Sequence, residues 1–234
     1  MKRLLFTVFA VLFAVSASWS QPKAGTFSII PRLGVTLTKI TGDNVFMGTE
    51  NANMGDASKP KFKPGMMAGV DFEYQFTNTL AASIGAYYSR QGEKYDDITE
   101  AHDLSVKKWT ETKDWKMNSE YINVPIMASA YLATNLAVKC GVQLGFNTGA
   151  KMEYSTAYFS RNDNGQAKYD GLVKTKYDVD MKKVDVSIPV GVSYEYMNVI
   201  IDARYNIGLT KVYDNLDNNR NSVFTFNVGY RFAL

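Results

Sequence analysis

Chemistry in this chain would most directly come from its one histidine, His102, which lies in the polar run Glu100-Ala-His-Asp-Leu-Ser105. His102 together with Asp103 and Ser105 has the residue types of a serine hydrolase, in which the imidazole accepts the proton of a serine nucleophile. Residues that are only neighbours in a polar loop do not hold that geometry, and a lone histidine there is usually solvated. The sequence therefore predicts no catalytic residue and no enzymatic activity.

The rest of the composition gives no basis for a metal or cofactor site. The chain has one cysteine, Cys140, which excludes an intramolecular disulfide and a cysteine-ligated metal cluster. Cys140 is in phase with Val138 and Val142, so we expect an apolar surface residue and not a nucleophile. The formal net charge is only +3, and the charges are scattered, which argues against nucleic-acid binding. We predict no metal, no cofactor and no nucleic-acid partner.

Nine charged residues follow a more regular pattern, because each lies on the polar side of a segment in which apolar and polar residues alternate. The two signs are nearly balanced, and many glycines and serines share that side. In the narrow lumen of a barrel such charges are stable only when they are paired and hydrogen-bonded. We predict a structural charge network in a lumen, formed by Arg32, Asp71, Glu73, Lys139, Asp185, Glu195, Asp202, Arg204 and Arg231.

The elements that would position this network are eight segments with a period of two, which is typical of strands with one apolar and one polar face. The last segment shows the pattern most clearly, since apolar side chains from Phe224 to Phe232 alternate with polar ones almost to the final residue. The eight segments are residues 26–40, 65–76, 80–91, 121–132, 136–152, 184–196, 199–212 and 222–234.

The connections between these segments alternate in length. Tight turns at 77–79, 133–135 and 197–198 alternate with long polar stretches at 41–64, 92–120, 153–183 and 213–221. This asymmetry is typical of outer-membrane barrels, which have short periplasmic turns and longer extracellular loops. We predict an all-β, eight-stranded antiparallel up-and-down transmembrane β-barrel with its apolar side facing lipid. A soluble lipocalin-type carrier, with the apolar side turned inward, would show the same alternation.

The N-terminal residues predict export. Met1-Lys-Arg is a basic start, an apolar run follows to Val15, and Ser18 and Ser20 suit the positions before a cleavage site. The apolar run is too short for a spanning helix. We therefore predict a cleaved signal peptide at 1–20 and a barrel domain at 21–234, located in the outer membrane with periplasmic termini and extracellular loops.

Five local sequences carry a resemblance to a known family. They are Ser83-Ile-Gly-Ala-Tyr-Tyr-Ser-Arg-Gln-Gly92, Glu120-Tyr-Ile-Asn-Val-Pro-Ile-Met127, Ile188-Pro-Val-Gly-Val-Ser-Tyr194, Asp202-Ala-Arg-Tyr-Asn-Ile-Gly-Leu209 and Gly229-Tyr-Arg-Phe232. With them the chain resembles the small outer-membrane barrels of the Bacteroidetes porin-family or PorT-like type. The resemblance implies the architecture over nearly the whole mature chain. That family has no shared catalytic motif, so the resemblance assigns no site residue.

These features predict a non-enzymatic barrel with a lumen filled by side chains and four long extracellular loops for surface interaction or envelope integrity. A narrow passive pore for water or small ions is one alternative, and an accessory component of a secretion or assembly machine, which the resemblance suggests, is another. The expected partners are outer-membrane lipid and lipopolysaccharide, and the barrel-assembly machinery through the C-terminal strand. We expect a monomer.

Two tryptophans in the second long connection lie six residues apart, at Trp109 and Trp115, between several lysines. On a regular strand this spacing puts both rings on the same face. The flanking lysines would then meet lipid phosphates or an external partner. The alternative that we favour is an extension of the neighbouring hairpin, with the aromatic rings packed on the adjacent strand.

Overall fold

The computed structural model of the chain describes residues 23–42, 59–99, 107–162, 164–214 and 218–234. This part of the chain holds no helix long and apolar enough to cross a membrane. The predicted signal peptide at 1–20 lies outside the described residues. The strands are β1 Phe27–Gly42, β2 Lys61–Gln75, β3 Leu80–Lys94, β4 Ile98–Thr99, β5 Lys108–Ala133, β6 Leu136–Arg161, β7 Ala167–Asp178, β8 Val184–Tyr196, β9 Val199–Gly208, β10 Asn219–Tyr230 and β11 Phe232–Ala233.

Eight of these strands form a closed ring of antiparallel pairs, in the order β1-β2-β3-β5-β6-β8-β9-β10 and back to β1. At the closure Arg32 on β1 lies opposite Gly229 on β10, and the short strand β11 continues the pairing with β1. The backbone N–H of Leu234 donates to the carbonyl oxygen of Phe27 at 2.8 Å. A closed ring leaves no unpaired edge, which is the condition for strands to cross a membrane. The predicted eight-stranded antiparallel barrel is confirmed.

The barrel has two different ends. At the end that we call the turn rim, β2–β3, β5–β6 and β8–β9 are joined by the predicted tight turns. Met197 and Asn198 form one of these turns with φ values of 49° and 66°, the left-handed pair that a two-residue hairpin turn requires. At the opposite end, the loop rim, the chain makes its longer connections.

The outer wall of the barrel is apolar and the inner wall is polar. Leu33, Ile126 and Val228 are 70%, 56% and 53% exposed on the outside, whereas Arg32 and Asp71 are buried in the lumen. The soluble-carrier alternative is therefore wrong, because that fold would place the apolar side chains inside. We call the outward residues between the rims the apolar band. On β3 the band runs from Leu80 to Tyr88, and the next outward residue is the exposed Arg90.

Two of the predicted segments are longer than expected. The segments 121–132 and 136–152 are parts of β5 and β6, which have 26 residues each and continue far beyond the apolar band. The stretch 153–183, predicted as a loop, contains β7, which pairs with β6 outside the ring, and β4 pairs with β5 in the same way. We call the outer parts of β5 and β6 together with β7 the projecting sheet. Both of its faces lie above the band, so no lipid imposes a period of two on its sequence.

Candidate functional site

A square of two arginines and two aspartates lies in the lumen near the turn rim. Arg32 Nε is 2.7 Å from Asp71 Oδ2, and Arg204 Nε is 2.6 Å from Asp202 Oδ1. Each arginine also approaches the other carboxylate, at 3.6 Å for Arg32–Asp202 and 3.5 Å for Arg204–Asp71. Asn227 bridges the square, since its Oδ1 accepts from Arg32 Nη1 and its Nδ2 donates to Asp202 Oδ1. Each charge thus faces two of the opposite sign.

Lys139 links this square to a second group of charges. Its Nζ lies 3.6 Å from Asp202 Oδ2 and 3.9 Å from Glu73 Oε2. Glu73 in turn is 2.7 Å from Arg231 Nη1, and Arg231 makes a two-point contact with Glu195 at 2.8 and 3.0 Å. Eight of the nine charged residues named from the sequence therefore lie in one chain of contacts. Four are cations and four are carboxylates, so the group is neutral as a whole.

The ninth residue, Asp185, lies apart from these contacts. Its carboxylate accepts hydrogen bonds from Thr210 Oγ1 at 2.8 Å and from Asn221 Nδ2 at 2.7 Å, and no cation among the described residues forms an ion pair with it. It faces Gly145 near the loop-rim end of β8. Asp185 is buried on the inward side of β8, and the alternation of β8 carries no information on its height along the lumen.

A polar layer separates the charges from the loop rim. Ser89 Oγ accepts hydrogen bonds from Gln91 Nε2 at 2.9 Å and from Asn123 Nδ2 at 2.8 Å, and Gln143 Nε2 donates to Asn123 at 3.3 Å. The cavity beside these side chains has a volume of about 20 Å³. That space is close to the minimum for one water molecule.

An apolar plug closes the lumen at the loop rim. Tyr95 stacks on Trp115 with ring centroids 4.5 Å apart, and Tyr213 donates from its hydroxyl to Met117 Sδ at 2.8 Å. These residues belong to one buried cluster with six others: Ile40, Tyr121, Ala150, Met152, Met181 and Val212. The plug gives the barrel a second closure at a different height from the charges.

Two buried polar residues hold the plug in place. Asn219 Oδ1 accepts from the backbone N–H groups of Val212 and Tyr213, each at 2.6 Å, which ties β10 to the chain after β9. Glu93 accepts from the Tyr95 hydroxyl and from the backbone N–H of Ile40. Glu93 lies five residues beyond Tyr88 and so above the apolar band. Burial raises the pKa of its carboxyl to about 7, although both hydrogen bonds oppose the shift.

The sequence did not predict the plug, because five of its ten residues lie in the stretches 92–120, 153–183 and 213–221, which were predicted as loops: Tyr95, Trp115, Met117, Met181 and Tyr213. One signal was present in β5. There Trp115, Met117 and Tyr121 alternate with polar residues, but on the inward phase, the reverse of the lipid-facing alternation that follows. Such an inversion of phase indicates a strand that leaves the lipid while its inner face stays packed.

The two tryptophans lie on opposite faces, so the prediction that they share a face is wrong. Lys113 pairs with Ser155 but Lys116 pairs with Glu153, so β5 contains one extra residue between them. Asp114 in this bulge has a φ of 54°. A single inserted residue reverses the facing of every residue beyond it. Trp115 therefore points into the plug, whereas Trp109 lies with Lys113 on the outer face.

The tip of the projecting sheet carries an aromatic cluster. Trp109 on β5 stacks on Phe159 on β6 at 5.3 Å, and Phe159 contacts Tyr169 on β7 at 5.6 Å. The Arg161 guanidinium lies 5.1 Å from the centre of the Trp109 ring. This is the hairpin extension with aromatics packed on a neighbour that the sequence favoured. Tyr169 is 57% exposed, so the cluster also forms part of the outer surface.

The described residues hold no group of three or more metal-ligating side chains. His102 lies outside the described residues, and with it the only arrangement that suggested nucleophilic catalysis. The described residues form two parts: a lumen that contains a charge network and an apolar cluster, and a sheet that projects from the loop rim. Cys140, which lies on the outer wall, is exposed as expected.

The comparison with protein-family models agrees with this architecture. A family model described as "Outer membrane protein beta-barrel domain" matches residues 19–214. Among solved structures, Ail of Yersinia pestis, in complex with the heparin analogue sucrose octasulfate, is 14% identical, with 89% of this chain and 99% of Ail covered and a TM-score of 0.41. Neisserial surface protein A is 12% identical, with 88% of this chain and 97% of that protein covered and a TM-score of 0.43. Escherichia coli outer membrane protein W is 15% identical, with 90% of this chain and 99% of that protein covered and a TM-score of 0.32. No curated protein matches the chain.

Proposed function

The chain belongs to the outer membrane protein beta-barrel domain family, and from this premise we propose that it is a non-enzymatic surface-interaction protein of the bacterial outer membrane. In this proposal the barrel does not conduct. It is the rigid base that holds the projecting sheet and the long connections at the cell surface.

The double closure of the lumen is the observation that carries this proposal. Ions would have to pass the charge network around Arg204 and Asp202, where charged groups approach to 2.6 Å. They would then have to pass the plug, in which Trp115 and Met117 are buried. An eight-stranded barrel has an interior just wide enough for side chains, so displacing one layer would not open a path. The narrow passive pore is therefore the weaker alternative.

The orientation follows from the same premise. Outer-membrane barrels have short periplasmic turns and longer extracellular connections. We therefore assign the turn rim to the periplasm and the loop rim, with the projecting sheet, to the cell exterior. An exported chain with both termini in the periplasm requires the signal peptide proposed at 1–20. The Bacteroidetes PorT-like type, a role beside a secretion or assembly machine, a monomeric state and insertion through the C-terminal strand remain parts of this proposal.

The surface that would meet a partner is the outer face of the projecting sheet. Trp109 and Tyr169 at its tip combine aromatic rings with the charge of Arg161. Aromatic and arginine side chains are enriched at interaction surfaces because they bury a large area and also make polar contacts.

Planar-bilayer conductance of the refolded mature chain tests the proposal. A boiled and an unboiled sample on the same gel first establish that the barrel is folded. We expect a folded barrel that gives no discrete current steps at any applied voltage. Discrete steps from the folded protein would overturn the proposal and make the lumen charges a selectivity element of a pore.

A further inference from the structure

A patch of five cations lies on the outer wall directly above the apolar band. The patch consists of Arg90 and Lys94 on β3, Lys116 on β5, Lys151 on β6 and Lys176 on β7. The side chains of Arg90, Lys116, Lys151 and Lys176 are between 43% and 59% exposed, and Lys94 is exposed as well. We call this set the basic patch. All of its members except Lys94 line one groove with a volume of about 450 Å³.

The carboxylates within reach do not neutralise the patch. Glu153 is shared, with one oxygen 2.5 Å from Lys176 Nζ and the other 3.8 Å from Lys116 Nζ. Glu120 lies 4.0 Å from Arg90 Nε, and the highly exposed Asp178 lies 3.7 Å from Lys151 Nζ. Among the residues that the structure describes, five cations thus face three carboxylates, which leaves an excess of two positive charges.

The register of the strands places lysines of the basic patch opposite one another, so the excess positive charge destabilises the protein when no anion is bound. Lys94 on β3 lies directly opposite Lys116 on β5, and Lys61 on β2 lies opposite Lys94. Like charges in directly opposed positions of an antiparallel pair are destabilising. Lys61 is compensated by Asp96, at 2.6 Å. A bound anion between Lys94 and Lys116 would relieve the remaining repulsion.

The height of the patch identifies the kind of anion. Arg90 is the first outward residue after Tyr88, so it lies one two-residue step, roughly 7 Å along the strand, beyond the last lipid-facing side chain. This is the level of lipid headgroups. Lys94 lies four residues farther, roughly 13 Å along the strand. A headgroup with phosphates on more than one sugar spans that distance, whereas the single phosphate of a phospholipid does not.

We propose that the basic patch binds the phosphate groups of a phosphorylated glycolipid of the outer leaflet, the chemistry of lipopolysaccharide. The inference rests on the proposed function, because it needs the loop rim to face the cell exterior. The bound lipid would fix the barrel's height in the membrane and brace the base of the projecting sheet. Because the cations are partly exposed, salt should weaken this binding.

Binding of fluorescent diphosphoryl lipid A to the refolded mature chain in detergent micelles tests the proposal. The patch variant carries Arg90→Gln, Lys94→Gln, Lys116→Gln and Lys151→Gln, and it keeps the Lys176–Glu153 ion pair. The matched control, the tip variant, removes four cations outside the patch: Lys107→Gln, Lys108→Gln and Lys168→Gln near the tip of the same sheet, and Arg220→Gln on β10. We expect the patch variant to bind at least tenfold more weakly, and the tip variant to change less than threefold.

Three other ligands separate the possible sources of the anion. Monophosphoryl lipid A and phosphatidylglycerol should bind the unmodified protein more weakly than diphosphoryl lipid A, and inorganic pyrophosphate should not displace the lipid. Equal weakening in the two variants, equal binding of phosphatidylglycerol, or displacement by pyrophosphate would each overturn the proposal. Gel shift and conductance are recorded for the same samples. A folded, silent barrel without this lipid preference contradicts only the patch, whereas a conducting barrel that keeps the preference contradicts only the proposed function.

Discussion

At the scale of single residues, Asp202 holds the largest number of charged partners in the lumen. It contacts Arg204, Arg32 and Lys139 at 2.6 to 3.6 Å. We expect Asp202→Asn to lower the free energy of unfolding by about 3–5 kcal/mol, because it leaves buried cations without compensation. Adding Lys139→Met restores the balance of signs and should recover at least about 1 kcal/mol. Urea unfolding of the refolded barrel measures Asp202→Asn, Lys139→Met and the double variant. If the double variant equals the sum of the single ones, the contacts do not act as one network.

Glu93 gives the plug a dependence on pH. The pKa of its carboxyl is raised from an ordinary value of 4.5 to about 7 by burial. Between these values the unfolded chain loses the proton while the folded chain retains it. The free energy of unfolding should therefore decrease as the pH rises from about 4.5 to 7, and then level off. Urea unfolding from pH 4 to pH 8 measures this effect. Glu93→Gln cannot titrate and should remove this part of the slope, and an unchanged slope would contradict the assignment.

Residues in the lumen were easier to predict than residues of the plug, for a physical reason. Arg32, Lys139 and Arg231 lie on strands whose other face meets lipid, and lipid forces a strict alternation. The inward side can then be read from the sequence. Trp115 lies beyond the band and is followed by a regular strand, but the bulge at Asp114 comes before it. No local sequence pattern indicates a bulge, so the face of β5 on which Trp109 lies could not be predicted.

At the scale of elements, the barrel strands and the projecting sheet differ in the medium around them. Val190 lies in the middle of the apolar band on β8 and Val173 lies on β7, with exposures of 38% and 51%. We expect Val190→Arg to cost about 2–4 kcal/mol, because the charge enters the lipid near the midplane. Val173→Arg, in water on a strand outside the ring, should change the free energy of unfolding by less than about 0.5 kcal/mol. The folded fraction by gel shift and the urea midpoint compare the two variants. Equal losses would show that β7 is also lipid-facing.

The difference between strands that face lipid and strands that face water also explains which strands the sequence predicted. All eight barrel strands were found, and β8 was found with its observed bounds, Val184–Tyr196. The bounds failed at the loop rim, where β5 begins at Lys108 and β6 ends at Arg161. β7 was missed because the stretch 153–183 is rich in polar and charged residues, which favoured a loop, although Lys168, Lys174 and Lys176 alternate with Tyr169 and Tyr177. The alternation that places apolar side chains outward thus ends where the lipid ends.

At the scale of the whole molecule, the barrel and the projecting sheet consist of separate sets of residues. The ring, the charge network and the apolar band lie between the two rims, whereas the aromatic cluster at Trp109 and Phe159 lies on the projecting sheet. Changes at the tip should therefore leave the barrel folded, and changes in the lumen should alter stability before they alter recognition. The conductance and lipid-binding experiments rely on this separation, since each reads one part of the molecule.

The length of β5 and β6 determines what an approaching object meets first. β6 continues for 14 residues from Thr148 to Arg161, roughly 45 Å along the strand. The turn at its end is held by hydrogen bonds from Asn162 N to the Gln166 carbonyl oxygen at 3.0 Å and from Gly165 N to the Asn162 carbonyl oxygen at 2.9 Å. If the loop rim faces the cell exterior, as proposed above, a guest peptide grafted into this turn would be displayed far from the membrane, where an antibody or a bacteriophage tail can reach it. In engineering terms, the projecting sheet would then be a display scaffold whose epitope can be exchanged without rebuilding the anchor.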